Sequence, residues 1–455
     1  MVLPLLILIT GDILNALLGL LVSIFVRFGE WPSANDFRGL DGISVFAFVF
    51  VLISISFLTE LYNLEKNWKA REIIAKLPIV FSVSLVILSA LFYLMPNIMF
   101  GRGVLATALG AFIVSQFFWH LIYKHALYIK KLSHKVMVLG TGALANRIGR
   151  LLLEHPDHHH NFAGYFGCPF ETVSVSAENI IGVGDGFLET VEKEKPHKIV
   201  VSVGERRNGG LPLQDLVKCK FSGIQVIDAP SFYEQVSGKI LLENITAGWF
   251  VFSTGFRHTL LLRFMKKLFD KVLSSAGLVL ALPIILPAAL LIKITSPGPI
   301  LFRQVRVGER DRQFVLYKFR TMRADAEKMT GAVWAQKNDP RVTRIGKFLR
   351  KTRIDEIPQL YNVLKGDMSF IGPRPERPEF VEKLKEIIPF YSERHFVKPG
   401  VTGWAQVKYP YGASVEDAIE KLRYDLYYIK NMSISLDILI ILETIKVIIY
   451  GRGGR

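Results

Sequence analysis

Ile354-Asp355-Glu356-Ile357-Pro358-Gln359-Leu360-Tyr361-Asn362-Val363-Leu364-Lys365-Gly366-Asp367-Met368-Ser369-Phe370-Ile371-Gly372-Pro373-Arg374-Pro375 places adjacent carboxylates beside an apolar run and an arginine held between prolines. An aspartate can act as a nucleophile toward phosphorus. A neighbouring glutamate can hold Mg²⁺, which neutralises phosphate oxygens and makes attack by an anion feasible. The order Asp355-Glu356 suits that division of labour. Thr352 followed by Asp355 also fits a capping box, and Pro358 suits a helix start or kink, so a helix N-terminus is expected here. On the dipeptide alone a capping carboxylate is the commoner explanation. The surrounding chain has to decide.

The chain has 455 residues and is 50% hydrophobic, enough for two or three domains and several membrane segments. Its 56 Lys+Arg against 40 Asp+Glu give a formal charge of +16, which implies an acidic partner: nucleic acid, anionic lipid or a phosphorylated substrate. Apolar segments beside the basic residues favour the last two. Cys168 and Cys219 form no CxxC pair, so neither a disulfide framework nor a cysteine zinc site is expected. His155, His158, His159 and His160 could bind a metal, but Pro156 and Asp157 break up the cluster, and a solvated loop is the preferred reading.

Four apolar stretches open the chain, at residues 3–26, 43–61, 77–95 and 104–128, each long enough to cross a bilayer as a helix. They predict a four-helix transmembrane bundle made of two hairpins. The start has no basic segment and no clear small-residue cleavage site, so a cleaved signal peptide is not expected. Lys66, Lys69, Arg71 and Lys76 lie between the second and third stretches, and Lys124, Lys130, Lys131 and Lys135 follow the fourth. Arg102 is the only basic residue between the third and fourth. The positive-inside rule then places both termini in the cytoplasm.

From Lys135 short apolar runs alternate with helical patterns. Residues 136–139, 198–203 and 224–227 read as buried parallel strands, predicting a Rossmann-like α/β domain. Gly140-Thr141-Gly142-Ala143-Leu144-Ala145 after the first strand matches the GxGxxA form of a dinucleotide fingerprint, making Gly140, Gly142 and Ala145 candidate nucleotide-binding residues. No clear acidic residue ends a second strand to hold a ribose. A domain binding no cofactor, or a regulatory nucleotide, therefore stands beside a working NAD site as a reading.

Lys266, Lys267 and Lys271 precede the apolar run 272–292, and Lys293, Arg303 and Arg306 follow it. Basic flanks at both ends place both ends in the cytoplasm. Pro283 and Pro287 lie inside the run, where each removes a backbone donor and clashes with the carbonyl four residues earlier. A re-entrant membrane hairpin is expected. An ordinary kinked transmembrane helix, the competing reading, would place everything after Lys293 outside the cell. A β-hairpin is expected at 300–307 and 313–318, turning through Gly308-Glu309-Arg310-Asp311. Residues 436–450 are apolar but carry Asp437, Glu443 and Lys446, which fits a helix lying in the membrane interface.

Lys318-Phe319-Arg320-Thr321-Met322 puts two cations at alternate strand positions, hence on one face, where they could hold a pyrophosphate. Gly372-Pro373-Arg374-Pro375 is a rigid loop that fixes an arginine fork suited to bidentate phosphate recognition. Lys398-Pro399-Gly400-Val401-Thr402-Gly403-Trp404-Ala405-Gln406-Val407 and Asp425-Leu426-Tyr427-Tyr428-Ile429-Lys430-Asn431 complete the set. Singly, each could be a turn, a surface face or an aromatic packing site.

Together and in this order, from about Arg263 to the end, these five motifs closely resemble the bacterial sugar transferases, or monotopic phosphoglycosyl transferases. The preceding bundle and α/β domain are similar to those of the family's large members, which initiate exopolysaccharide, capsule or O-antigen units. The resemblance implies that a UDP-sugar, with glucose or galactose as the family-level expectation and an N-acetylated sugar as an open alternative, donates its sugar-1-phosphate to undecaprenyl phosphate and releases UMP. It implies that Asp355 attacks the phosphate on the sugar, forming an aspartyl phosphosugar intermediate, and that Glu356 binds Mg²⁺. Lys318, Arg320 and Arg374 would stabilise the phosphates. Asp425 matches the family's acidic residue before paired tyrosines, and His395 falls at a polar family position. The large relatives also imply a homodimer. One departure is Leu282 before Pro283, where small members place a serine that helps satisfy the broken helix; Ser274, Ser275 or Pro287 could compensate.

The expected organisation is a transmembrane region at 1–132, the α/β domain at 133–250, a linker at 251–262 and a small, mainly helical catalytic domain at 263–455. Its re-entrant helix is expected at 263–293. The expected place is the bacterial cytoplasmic membrane with the catalytic domain on the cytoplasmic face. Two other functions compete. A membrane-tethered nucleotide-sugar oxidoreductase or epimerase would need a ribose-binding acid and a Tyr-x-x-x-Lys pair, neither clearly present. A non-catalytic assembly scaffold is opposed by intact Asp355, Glu356, Lys318 and Arg374. Nucleic acid ranks last, because the cations coincide with membrane flanks and phosphate motifs.

Overall fold

The computed structural model describes residues 2–29, 42–62, 70–99, 101–128, 134–154, 160–169, 171–203, 211–256, 259–323, 326, 339–409, 412 and 414–450. They fall into two compact units, Met1–Val236 and Ser237–Arg455.

In the first unit the four apolar stretches are helices α1 (Val2–Phe28), α2 (Gly42–Leu58), α3 (Ala70–Leu94) and α4 (Arg102–Tyr128). At 1.5 Å per residue, the 17 residues of α2 reach about 25 Å, near the lower limit for a bilayer crossing. Ala16, Leu20, Phe48, Leu52, Val80, Leu88, Ala108 and Phe112 form the buried seam. Leu14, Phe46, Val86 and Ile122 point outward at 60–70% exposure, a surface that only lipid solvates without cost. Inside the bundle, Asp12 of α1 meets Gln116 and His120 of α4 at 2.6 and 3.1 Å, and Gln116 also reaches Ser56 of α2.

The α/β domain is a five-stranded parallel sheet in the order β3-β2-β1-β4-β5. Its strands are β1 (His134–Leu139), β2 (His160–Gly167), β3 (Ile180–Val183), β4 (Lys198–Val201) and β5 (Gln225–Asp228), accompanied by α5 (Ala143–Glu154), α6 (Phe187–Glu194), α7 (Leu213–Phe221) and α8 (Ala229–Ser237). Val136, Met137, Val138 and Leu139 are fully buried, as expected of a central parallel strand covered on both faces. The sequence reading anticipated β1, β4 and β5 but passed over β2 and β3. His160 opens β2 instead of lying in a loop; His155, His158 and His159 lie outside the described residues.

The second unit contains α9 (Ala247–Phe252), α10 (Leu260–Thr295), β6 (Leu301–Val307), β7 (Gln313–Phe319), α11 (Arg344–Lys351) and α12 (Gln359–Lys365). It continues with β8 (Ser369–Ile371), α13 (Pro378–Ile387), β9 (Gly400–Thr402), α14 (Trp404–Lys408), α15 (Val415–Lys430) and α16 (Ile434–Ile449). Its contacts begin at Ser237, ahead of the boundary at 250: Trp404 Nε1 donates to Gly238 O at 2.8 Å, Ile240 N to Arg423 O and Phe256 N to Lys430 O. The expected β-hairpin forms as an antiparallel ladder from Leu301↔Phe319 to Val307↔Gln313.

α10 is one continuous run of 36 helical residues containing both prolines. Its buried positions Lys266, Asp270, Ser274, Ala281, Ala288 and Ile292 recur at helical spacing and make one inward stripe. In the first half, Lys266 Nζ pairs with Asp437 at 2.7 Å, and Asp270 Oδ1 accepts from Ser369 Oγ and Phe370 N. In the second half, Ala288 and Ile292 pack with Phe319 and Leu349. Between them Val279, Leu280, Leu282, Ile284 and Leu286 are exposed around Pro283. Ser274 does not compensate for the prolines, since its hydroxyl bonds back to Asp270 O one turn earlier. α16 buries Asp437 and Lys446 together with Ile440, while Ile438, Ile445 and Ile448 are exposed. That arrangement suits an apolar surrounding.

Candidate active site

The segment between α11 and α12 carries the carboxylates. α11 ends at Thr352, whose hydroxyl bonds back to Phe348 O and Leu349 O instead of capping the following turn. The expected capping box with Asp355 is therefore absent; a capping box forms instead at Ser414 with Asp417, at the start of α15. Arg353 takes a left-handed conformation, φ 58° and ψ 13°, which is strained for a residue with a side chain. It reverses the chain into the 3₁₀ turn Ile354–Glu356 and tucks both carboxylates inside, at 8% and 9% exposure.

Three cations converge on one oxygen of Glu356. Arg374 Nη2 lies 2.8 Å, Lys318 Nζ 3.3 Å and Arg353 Nη1 3.5 Å from Oε1. Burial opposes ionisation of Glu356, but Arg374, Lys318 and Arg353 outweigh it and hold the carboxyl well below the usual range. Asp355 has fewer compensations. Burial, then the neighbouring Glu356 charge, push its carboxyl up to about 6, and its Oδ1 has no hydrogen-bond partner among the described residues. Burial also brings Lys318 down to about 8, with Glu356 opposing the shift. The result is an anion-binding set of cations around a charged glutamate, beside a buried aspartate with an idle oxygen.

Arg374 is held from behind. Gly372 N bonds to Thr402 O, and the carbonyls of Pro373, Arg374, Pro375 and Glu376 accept from Gly400 N, Arg394 Nη2, Arg306 Nη1 and Val307 N. The loop sits so close to the second glycine motif that a Cβ at Gly400 would lie 2.1 Å from Gly372 N, and one at Gly403 2.1 Å from Gly372 O. This backbone packing explains why two glycine motifs distant in sequence occur together. Gln406 Oε1 then accepts from Arg374 Nη1 at 3.0 Å and fixes the rotation of the guanidinium.

A family profile described as bacterial sugar transferase matches residues 261–451. A UDP-glucose:undecaprenyl-phosphate glucose-1-phosphate transferase from Xanthomonas campestris is 30% identical over 448 residues, covering 93% of this chain and 89% of its own length. The chain belongs to the bacterial sugar transferase family. A UDP-N-acetylgalactosamine-undecaprenyl-phosphate N-acetylgalactosaminephosphotransferase from Aeromonas hydrophila is 43% identical over 240 residues, 53% of this chain and 56% of that protein. An Escherichia coli UDP-glucose:undecaprenyl-phosphate glucose-1-phosphate transferase is 42% identical over 187 residues, 40% of each chain. This sugar transferase is a membrane protein with apolar helices ahead of a parallel-sheet domain.

Within the sugar transferase, Asp355, Glu356, Lys318 and Arg374 come together, and the other predicted residues do not. Arg320 lies just past the end of β7, where strand alternation no longer applies; its Nη2 bonds Ser296 O and Oγ at the C-terminus of α10. Asp425 is 2% exposed and faces Arg394 Nη2 at 2.8 Å, an ion pair without hydrogen-bond alignment, and Arg394 Nη2 also donates to Arg374 O. His395 Nδ1 lies 2.6 Å from Asp311 Oδ1 in the β6–β7 turn. Sequence reasoning missed Arg353 and Gln406, although Arg353 directly precedes the opening motif and Gln406 lies inside the second glycine motif. It also missed Glu171, four residues past β2, whose carboxylate accepts from Thr141 N at 2.7 Å and Gly142 N at 3.1 Å. The GxGxxA nest thus holds the chain's own anion where a dinucleotide would place its pyrophosphate.

Burial, then the Arg394 charge, bring His395 down to about 4 despite Asp311. The unfolded chain takes up this proton near pH 6.5 and the folded one only near 4, so the site loses about 3 kcal/mol as pH falls through that window. His395→Asn is expected to flatten the acid side of the stability profile relative to wild type, measured by denaturant unfolding at pH 7.5 and 4.5.

Proposed function

We propose that the protein transfers a sugar-1-phosphate from a UDP-sugar to undecaprenyl phosphate, releasing UMP, as the initiating step of exopolysaccharide, capsule or O-antigen assembly. The observation that carries this reading is buried Asp355, with its unpartnered Oδ1, beside Glu356 at the focus of Lys318, Arg353 and Arg374. An Asp355 oxygen attacks the phosphorus that bears the sugar. The bond from that phosphorus to the bridging oxygen breaks, and UMP leaves with the electron pair. An oxygen of the lipid phosphate then attacks the same phosphorus, and the bond to Asp355 breaks, restoring the carboxylate. One phosphoanhydride replaces another, so no further energy source is needed. The cations disperse phosphate charge in a partly dry site, where fixed positive groups act strongly.

The residues present fit Mg²⁺ as an ion shared with the substrate. All three cations contact Glu356 Oε1, which leaves Oε2 for a hard cation, and no group of three acidic, histidine or cysteine side chains forms a complete cage among the described residues. When bound, the ion would neutralise pyrophosphate oxygens. Chelation with EDTA is expected to stop UMP release, and added Mg²⁺ to restore it.

The reading places the catalytic unit at the cytoplasmic face of the bacterial inner membrane. Both halves of α10 pack on this one unit while its proline-containing middle exposes apolar side chains, which supports a helix that dips into one leaflet and returns. A homodimer belongs to the same reading. The names of the relatives divide among glucose, N-acetylgalactosamine and galactose, so all three UDP-sugars must be tried. Purified protein with Mg²⁺ and undecaprenyl phosphate is expected to release UMP from one UDP-sugar of such a panel. Absence of release from every donor, in a folded preparation, would overturn the transferase reading.

A further inference from the structure

Gln359 is 2% exposed, and its Nε2 has no hydrogen-bond partner among the described residues. Buried amides ordinarily find partners, so an idle one needs an explanation. Asn362, three residues on and fully buried, shows the ordinary case: its Nδ2 donates to Val315 O at 2.7 Å, and its Oδ1 accepts from Tyr317 N at 3.0 Å. That amide sews α12 to β7. Gln359 sews nothing through its Nε2.

Its place along the chain is specific. The 3₁₀ turn Ile354–Glu356 continues through Ile357 (φ −52°, ψ −41°) and Pro358 (φ −61°, ψ −17°) into α12, so the right-handed path is unbroken. Residues four apart on such a path, part 3₁₀ and part α, are separated by little more than one turn. Gln359 is four residues after Asp355, whose Oδ1 is likewise buried and unpartnered. An idle acceptor and an idle donor thus stand about one turn apart on the path into α12. The cations nearby converge on Glu356 Oε1, and the Gln359 amide is a neutral donor about one turn along the chain from Asp355.

We propose that Gln359 is a further catalytic residue: its Nε2 donates a hydrogen bond to a non-bridging oxygen of the phosphoryl group that Asp355 attacks. The proposal rests on the reading of Asp355 as nucleophile. Charge on that oxygen changes as the phosphoryl group passes between partners, and a preorganised donor stabilises the transition state without reorganising. In the free enzyme the amide waits without a partner, so it serves the reaction at the expense of the resting fold.

The test uses the full-length membrane protein and two readouts. Gln359→Met keeps the size and removes the donor. Its thermal midpoint without ligand is expected to equal or exceed that of wild type, while UMP release falls roughly 10²-fold, in kcat and kcat/KM alike. Gln359→Glu, which places an acceptor where a donor is needed, should lose at least as much. A lowered midpoint for Gln359→Met would show a structural amide and overturn the proposal, as would turnover at the wild-type rate. Asp355→Asn run in parallel separates the two claims. Turnover by that variant removes the nucleophile reading itself, whereas an inactive Asp355→Asn beside a fully active Gln359→Met removes only the role of Gln359.

Discussion

Asp355→Asn is expected to lower UMP release by roughly 10⁴-fold or more, because the amide matches the carboxylate in shape but is a poor nucleophile. The fold should not suffer. Asp355 is 8% exposed, its Oδ1 has no partner among the described residues, and a second carboxylate adjoins it, so a neutral side chain removes a buried charge instead of breaking a bond. The thermal midpoint is therefore expected to stay or rise as activity disappears. Intact-mass measurement gives a second check. Wild type incubated with the donor and Mg²⁺, without lipid acceptor, should gain the mass of one sugar phosphate, and the variant should gain none. Near-normal turnover by the folded variant would end the covalent route.

What could be read from the sequence depended on the range over which each feature is determined. The β6–β7 hairpin and the four apolar helices are set by local pattern, and they formed where alternation and hydropathy placed them. β2 was missed because His160–Gly167 carries glycine and aromatic residues in place of a β-branched run, and its register shifts where Gly164 takes φ 137°. Such a strand is specified by its neighbours on both sides, not by its own composition. The same distinction holds in the site. Asp355, Glu356, Lys318 and Arg374 were visible as motifs. The sequence did not show that Arg320 turns to Ser296, nor that Asp425 spends its charge on Arg394, since both depend on contacts between segments far apart in the chain. Thr352 was misread because its hydroxyl had two local options, and the left-handed turn at Arg353 favoured bonding back into α11.

Those long-range contacts make Arg394 the most consequential residue outside the carboxylate segment. Its guanidinium contacts Tyr391 OH at 2.6 Å, Arg374 O at 3.0 Å and Asp425 Oδ2 at 2.8 Å while 5% exposed. Arg394→Met should cost about 3–5 kcal/mol, because it strands a carboxylate in a dry interior. It should also lower turnover by about 10- to 100-fold, because the loop that aims Arg374 loses one of its four carbonyl anchors. Asp425→Asn removes the stranded charge, so the double variant should recover part of the loss, and a double-mutant cycle in chemical denaturation measures how much. Burial, opposed by Arg394, already lifts Asp425 to about 6. Without the arginine its carboxyl rises further, so the folded variant binds a proton that the unfolded chain releases above about pH 4. Stability of Arg394→Met should therefore climb relative to wild type as pH falls from 8 toward 5. A penalty that stays constant over that range would mean that Asp425 is neutral even in the wild-type protein, and Arg394 would then position Arg374 through Tyr391 and the main chain alone.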